Sequence, residues 1–179
     1  MKRVAALLLV VTLLGASPPS RAIDPAQSRA QFSISHIWVE HVMGTIPIVE
    51  GSVSLAPGSL VPTAATATFD PAKVSTGEPD RDRSLASPDF FDAQKYPRWT
   101  FTSTSVVAKG SDAFEMDGDI TIHGVTRPIR LDATVRGTAA HPEYRASGQI
   151  DRHQFGMAVT RLDPTIGTTV DLTIDVTLK

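Results

Sequence analysis

The stretch DRDRSLASPDFFDAQKYPRWTFTSTS, residues 80–105, is the only long segment of the chain that interrupts the apolar–polar alternation of β-strands. Two prolines break it up, and proline neither donates a hydrogen bond to a sheet nor fits inside a helix. Its apolar residues Leu85, Phe90 and Phe91 stand among charged ones. A short segment of this kind buries its apolar side only by packing on another element. The stretch therefore predicts a helical flap laid over the end of a β-structure.

Alternating segments flank this stretch on both sides, and each has one polar face. Because short turns join most of them, an antiparallel arrangement is expected. Residues 37–43 break the alternation and are predicted to be irregular. Eight strands are predicted, three before the flap and five after it: 29–36, 45–55, 65–70, 99–107, 114–122, 129–136, 145–150 and 170–179.

The size of the side chains on the apolar faces helps to choose between a sandwich and a barrel, the two all-β folds that fit this pattern. A sandwich needs bulky residues there to fill a gap of about 10 Å between its sheets. An eight-stranded barrel with small inward residues instead has room for one ligand. The sequence favours the barrel, because many of these positions are small: Ala30, Ala65, Ala67, Gly118, Ala133, Ala146 and Gly148.

The first 22 residues have the pattern of a secretory signal peptide. Lys2 and Arg3 precede an apolar run over residues 4–14, and Ser20-Arg21-Ala22 is a small-x-small cleavage site, with Ala16 as a second candidate. The run is too short to span a bilayer as a helix, so stable membrane insertion is not expected. We therefore predict a signal peptide over residues 1–22, one domain over residues 23–179, and a periplasmic or fully secreted protein.

Charge and cysteine content exclude several functions. Removing residues 1–22 leaves 14 basic and 19 acidic residues, a net charge of −5. This disfavours nucleic acid and anionic membrane surfaces as partners, since both attract clustered Lys and Arg. The chain has no cysteine, so it is neither a disulfide-rich scaffold nor a thiol enzyme, and its stability must come from a core.

A set of short motifs resembles a known family. These motifs are Ser28 to His36, Arg81-Asp82 with Leu85, Phe90-Phe91-Asp92, Tyr96-Pro97, Phe101 with Ser103, Gly118 with Ile120 to Thr126, and Arg152 with Phe155-Gly156-Met157. In this order they resemble the YceI-like proteins, periplasmic lipocalin-like barrels that bind polyisoprenoid lipids. The resemblance implies an eight-stranded antiparallel barrel, a short helical segment between strands three and four, and a long apolar pore. Since family members often form dimers, it also implies a homodimer as one assembly.

The inward positions of the strands are the candidate ligand-binding residues. Burial of a lipid tail there is favourable by about 0.8 kcal/mol per CH₂ group. The predicted function is a periplasmic carrier of an isoprenoid-type lipid, such as a quinone or a polyprenyl compound, with no other cofactor. The candidate cavity residues are Phe32, Ile34, Ala67, Phe69, Phe101, Ile120, Leu131, Ala133, Ile150, Leu172 and Ile174.

Three polar residues are predicted at the mouth of the barrel, namely His36, Arg81 and Arg152. An arginine there can bind an anionic head group such as phosphate through two parallel hydrogen bonds. Alternatively, Arg81 pairs with Asp82 or Asp151 and only fastens the flap. Both interpretations stay open at this point.

Two further functions stay as alternatives: an enzyme acting on a small amphiphile in the same cavity, and a structural β-domain with a filled core. Ser103 or Ser105 could act as a nucleophile with His123 or His36 as base, but no Gly-x-Ser-x-Gly elbow is present. The carboxylates of the flap are better explained as helix caps, with a helix starting at Ser87-Pro88-Asp89. No catalytic residue is predicted.

The five histidines do not stand at the spacings typical of metal sites. His36 and His41, five residues apart, are the pair that a metal could bridge most easily. No bound metal is predicted, and His36 is interpreted as a hydrogen-bonded residue at the rim.

Overall fold

A computed structural model describes residues 19–36, 40–157 and 163–179. Within these residues α1 (Pro79–Ala86) is the α-helix, and 3₁₀ helices cover Pro71–Lys73, Arg152–Phe155 and Asp163–Thr165. None of the helices in the described ranges is long and apolar enough to cross a bilayer. The strands are β1 (Ser20–Ala22), β2 (Arg29–His36), β3 (Glu40–Ile46), β4 (Ile48–Leu55), β5 (Pro62–Phe69), β6 (Trp99–Ala108), β7 (Ala113–Ile122), β8 (Val125–Gly137), β9 (Pro142–Asp151) and β10 (Ile166–Thr177).

All ten strands belong to one antiparallel sheet with the order β1-β4-β5-β6-β7-β8-β9-β10-β2-β3. The chain passes directly from β3, at one end of this order, to β4, next to its other end, because only Pro47 separates the two strands. The sheet therefore curls round on itself, and Ile23, next to β1, forms a bridge with Leu178 near the end of the chain. The prediction of an all-β, antiparallel, barrel-like protein is confirmed.

The described residues form ten strands rather than the predicted eight, and the difference arises at two places. Residues 20–22, assigned to the signal peptide, pair with β4 as the short strand β1. The predicted strand 45–55 is divided at Pro47, which has no N–H for the ladder and whose carbonyl accepts a hydrogen bond from Asp70 N at 3.0 Å. The first part, β3, begins at Glu40, within the segment predicted to be irregular. Residues 37–39 of that segment, like residues 1–18 of the predicted signal peptide, lie outside the described residues.

The helix α1 lies in the flap segment, between β5 and β6, and starts earlier than the sequence suggested. Pro79 occupies its first turn, where a missing N–H breaks no hydrogen bond of the helix. Asp80 and Asp82 lie in the same turn, where their negative charges interact favourably with the positive end of the helix dipole. Ser87, predicted as the N-cap of a helix, is instead the residue that ends α1. Pro79, which directly precedes residues 80–105, rather than Pro88, sets the start of the helix.

Side chains of one face of each strand point into the space enclosed by the sheet. On β10, Leu172 lies opposite Phe32 of β2, and Val170 lies opposite Ile34. On the other side of β10, Leu172 pairs with Gly148 of β9. These registers place the apolar positions of neighbouring strands at the same level, so that the interior is built in layers.

Candidate functional site

Within the described part of the chain, the interior of the sheet contains a larger and a smaller cavity. The larger, here called the upper cavity, has a volume of about 550 Å³ and lies beneath α1 and the segment that follows it. The smaller, the lower cavity, has a volume of about 80 Å³. A volume of 550 Å³ is typical of small-molecule sites, whereas the lower cavity is too small to hold a lipid.

The flap forms the roof of the upper cavity. After α1 ends, the chain turns back so that Phe91 N donates to Leu85 O at 2.9 Å. Phe91 then packs edge-on against Trp99, with ring centroids 4.8 Å apart, and both rings are buried. Leu85 and Phe90 also line the cavity. The apolar residues that predicted a flap in the sequence therefore cover the upper cavity.

Arg81 is fixed at the edge of the upper cavity by Thr76. Its Nε donates to Thr76 Oγ1 at 2.8 Å and its Nη2 to Thr76 O at 3.2 Å. Asp82 Oδ1 in turn accepts from Thr76 N at 2.8 Å and from Thr76 Oγ1 at 2.6 Å. In the described part of the chain Arg81 forms no ion pair, so the sequence-based alternative of a pair with Asp82 or Asp151 is wrong.

Arg152 also lines the upper cavity but is 5% exposed, and its guanidinium contacts the protein backbone. It donates to the carbonyl oxygens of Gly167 at 2.8 Å, Met157 at 2.5 Å and Ile166 at 3.1 Å. These bonds join the 3₁₀ helix Arg152–Phe155 to the start of β10. Arg152 thus stabilises the wall of the upper cavity through its hydrogen bonds to the backbone.

His36, at the end of β2, is the third mouth residue and lines the same cavity. Its Nδ1 lies 3.9 Å from Glu40 Oε2 across the hairpin. Ser35, the outward neighbour of His36, pairs with His41. His36 and His41 therefore lie on opposite faces of the sheet and cannot bind one metal ion together. Among the described residues, no three His, Asp or Glu side chains are grouped as a metal site.

The predicted cavity residues divide between the two spaces. Seven of them line the upper cavity: Phe32, Ile34, Phe69, Ile120, Ile150, Leu172 and Ile174. Four line only the lower one: Ala67, Phe101, Leu131 and Ala133. Whether any of them contacts a ligand stays a prediction.

The small residues that favoured a barrel do not create the larger space. A Cβ atom on Gly118 would lie 2.4 Å from the Phe101 ring, and one on Gly148 would lie 2.7 Å from Leu131 Cδ2. Neighbouring side chains therefore already occupy the room that these glycines leave. Of the small residues, Ala30 alone lines the upper cavity, while Ala65, Ala67, Ala133 and Ala146 surround the lower one.

Several residues that line the upper cavity were not predicted from the sequence as cavity residues. Val42 lies in the segment predicted to be irregular, and Met157 lies in the loop after β9. Trp99 and Ile122 are the next inward positions after Phe101 on β6 and Ile120 on β7, so the alternation alone could have identified them. The apolar residues of the upper cavity that were not among the candidate cavity residues are Ala30, Val42, Ile46, Leu85, Phe90, Phe91, Trp99, Ile122, Met157, Ile166 and Val170.

The serines considered as nucleophiles have structural partners. Ser103 Oγ accepts a hydrogen bond from Ala65 N at 2.8 Å, beside a bulge in the β6–β7 ladder. Ser105 Oγ donates to Asp117 Oδ2 at 3.2 Å. His123 Nδ1 donates to Phe155 O at 3.1 Å. The arrangement gives neither serine a histidine base within the described residues.

Fold and cavity together define an all-β protein in which one curled antiparallel sheet, roofed by a helical flap, encloses an apolar cavity. Residues 22–178 match the family model described as the YceI-like domain. The chain therefore belongs to the YceI-like family, and the resemblance found in the sequence is confirmed.

Relatives with similar sequences cover most of the chain. A UPF0312 protein of Pseudomonas savastanoi pv. phaseolicola is 34% identical over 167 residues, which are 87% of this chain and 87% of that protein. A UPF0312 protein of Vibrio cholerae is 32% identical over 140 residues, covering 75% of this chain and 74% of the relative.

Solved structures show the same fold. The YCEI protein of Campylobacter jejuni superposes with a TM-score of 0.72 and 29% identity, covering 82% of this chain and 90% of its own. BcnA of Burkholderia cenocepacia has a TM-score of 0.79, 20% identity, and coverage of 88% and 99%. A polyisoprenoid binding domain from Saccharophagus degradans has a TM-score of 0.68, 17% identity, and coverage of 88% and 97%.

Proposed function

We propose that this protein binds and carries an isoprenoid-type lipid, such as a quinone or a polyprenyl compound, in the upper cavity. The observation that carries the proposal is an apolar space of about 550 Å³ beneath a flap that presents Leu85 and Phe90 to it. Such a space holds an apolar tail without directional contacts, since each buried CH₂ group contributes about 0.8 kcal/mol. Membership of the YceI-like family and the Saccharophagus neighbour, named for polyisoprenoid binding, support this choice of ligand.

The role that we propose is binding rather than catalysis. Nucleophilic catalysis needs a side chain within hydrogen-bond reach of its base. Ser103 and Ser105, the candidates in the sequence, are bonded to a backbone amide and to Asp117 instead. A filled structural domain fits less well, because the volume of the upper cavity is much larger than ordinary packing defects.

The mouth residues His36, Arg81 and Arg152 are proposed to lie beside the lipid head group. Arg81 is the most suitable of them, since Thr76 holds two of the five N–H donors of its guanidinium. The opposite edge of the fork is then oriented for an oxygen-bearing head, either a phosphate or a quinone carbonyl. Arg152 supports the mouth through its backbone contacts.

We further propose that the protein acts in the periplasm, or outside the cell, after removal of a signal peptide. The support is the basic, apolar and small-residue pattern of its N-terminal segment. A homodimer stays a prediction, and the mass of the purified protein in solution by light scattering would test it.

Extraction of the untagged protein with organic solvent, followed by mass spectrometry, tests the function. A stoichiometric isoprenoid lipid is the expected result. Ala30→Phe places a ring in the upper cavity and should abolish the lipid, while the protein keeps its melting temperature. Ser33→Phe on the outward face of the same strand is the matched control and should retain the lipid. If wild-type extracts contain no lipid and added prenols do not bind, the proposal is wrong.

A further inference from the structure

We propose that four side chains, Phe69, Ile120, Leu172 and Ile174, form a floor that limits how far a lipid tail enters the protein. These residues would therefore set the tail length up to which affinity increases. This inference rests on the proposed function, since it concerns the specificity of the same cavity.

The four residues are the ones that line both cavities. The partition between the upper and the lower cavity is therefore a single layer of side chains. Along β10 the layers follow in order: Val170 lines the upper cavity, Leu172 and Ile174 line both, and Val176 lines the lower one. Strand β7 repeats the order, with Ile122 above, Ile120 in the partition and Met116 below.

Beside Leu172 the partition receives no side chain from the neighbouring strand β9. The residue opposite it on β9 is Gly148, which contributes no side chain. The space over Gly148 is taken by Leu131 Cδ2 from the lower layer, 2.7 Å from where a Cβ would be. Gly148 supplies no side chain at this level, so Leu172 and Leu131 together separate the two spaces there.

An apolar extension of the site lies below this layer. The lower cavity, of about 80 Å³, has an apolar lining that includes the small residues Ala67, Ala133 and Ala146. Removing part of the partition would join it to the upper cavity. The tail of a bound lipid could then continue along the same axis, and each further isoprene unit buried would strengthen binding on the order of tenfold or more.

Leu172→Ala is the variant that opens the floor. Leu172 is half-buried, so its truncation should be tolerated better than that of fully packed Phe69 or Ile120. Val176→Ala is the matched control, because it enlarges the lower cavity from the same face of the same strand without opening the partition. Ile174→Ala serves as a second opening variant if Leu172→Ala has a strongly reduced melting temperature.

Binding is measured with geraniol, farnesol, geranylgeraniol and solanesol, on the delipidated full-length mature protein, by mass spectrometry of the prenol retained after gel filtration. For the wild type and Val176→Ala, affinity should rise with tail length and then reach a plateau. For Leu172→Ala or Ile174→Ala, the plateau should move to a longer prenol, with an affinity gain of about tenfold or more for that prenol.

Two results would overturn the inference. One is an identical plateau in the wild type and both opening variants, which would leave the proposed function intact. The other is an affinity that rises through solanesol in the wild type, which would mean that the floor does not limit the tail. Failure of the wild type to bind any prenol would instead reject the proposed function, and the inference with it.

Discussion

The ring of Phe32 lies over Gly44, the residue opposite it on the neighbouring strand β3, so closely that a Cβ atom on Gly44 would be 2.4 Å from Phe32 Cζ. The ring also forms part of the wall of the upper cavity. The absence of a side chain at Gly44 therefore allows an aromatic ring to lie flat against the sheet and leaves the cavity open.

Gly44→Ala should force the Phe32 ring inward and reduce lipid binding. The new methyl group would contact the ring and Thr76 Cγ2, which lies 2.9 Å from the Cβ position. Overpacking of this kind typically costs ~1–3 kcal/mol of unfolding free energy. The double variant Gly44→Ala/Phe32→Leu should recover part of the loss, because the smaller side chain removes the contact. Additive losses in chemical denaturation, with unchanged lipid content, would contradict this relationship.

Ala133→Phe should destabilise the protein without blocking the ligand site. Ala133 is 6% exposed and borders only the lower cavity of about 80 Å³, so a phenyl ring there meets packed neighbours. A loss of ~1–3 kcal/mol or more in urea denaturation is expected. Thr134→Phe, on the outward face of the same strand, is the control and should be nearly neutral. Loss of bound lipid at an unchanged melting temperature would mean that Ala133 faces the ligand space after all.

The inward faces of the strands could be predicted because alternation is a local property of the chain. Leu172 and Ile174 were assigned to the interior from their own strand alone, and they line the cavity. Which space an inward residue borders depends on its neighbours in three dimensions. Gly118 was interpreted as leaving room, yet the ring of Phe101 from the next strand fills that room.

Arg152 shows a second limit of sequence reasoning. Its chain position next to β9 predicted a place at the mouth, where an arginine suggests an anionic ligand, and it lines the upper cavity. Its bonds to Met157, Ile166 and Gly167 arise only after the loop folds back onto β10. No local pattern distinguishes an arginine that binds carbonyl groups of its own fold from one that faces a ligand.

The phenol of Tyr144 should titrate at unusually high pH. Burial beside the lower cavity raises the pKa of Tyr144 from 10.0 to about 12, against a smaller opposing effect of Arg21, and its Oη donates to Leu60 O at 3.2 Å. Because the pKa in the folded state exceeds that in the unfolded state, the stabilisation is present below pH 10 and is lost as the pH rises from 10 towards 12.

The difference in phenolate absorbance between the wild type and Tyr144→Phe isolates this group. Its midpoint should lie near pH 12, and the stability of Tyr144→Phe should fall less steeply above pH 10. A midpoint near the ordinary value would show that the phenol reaches solvent in the folded protein.

The mature chain should retain Ser20–Ala22, which favours the second candidate cleavage site, after Ala16, over the site after Ala22. These residues pair with β4 as β1, and Leu55 N donates to Pro19 O at 3.0 Å. Arg21 donates to the carbonyl oxygens of Ala139, Ala140 and Lys179 at 2.8–3.1 Å. Cleavage after Ala22 would remove all of these bonds and leave the edge of β4 unpaired.

A protein that begins at Ile23 should therefore be less stable than one that begins at Ser17. At about 0.5–1.5 kcal/mol net for each hydrogen bond, the loss of β1 should reduce the unfolding free energy on the order of 2–4 kcal/mol. Arg21→Ala in the longer chain should show a smaller part of that loss. The intact mass of the exported protein shows where the mature chain begins. If that mass corresponds to a chain beginning at Ile23, and the two forms have equal melting temperatures, β1 is dispensable.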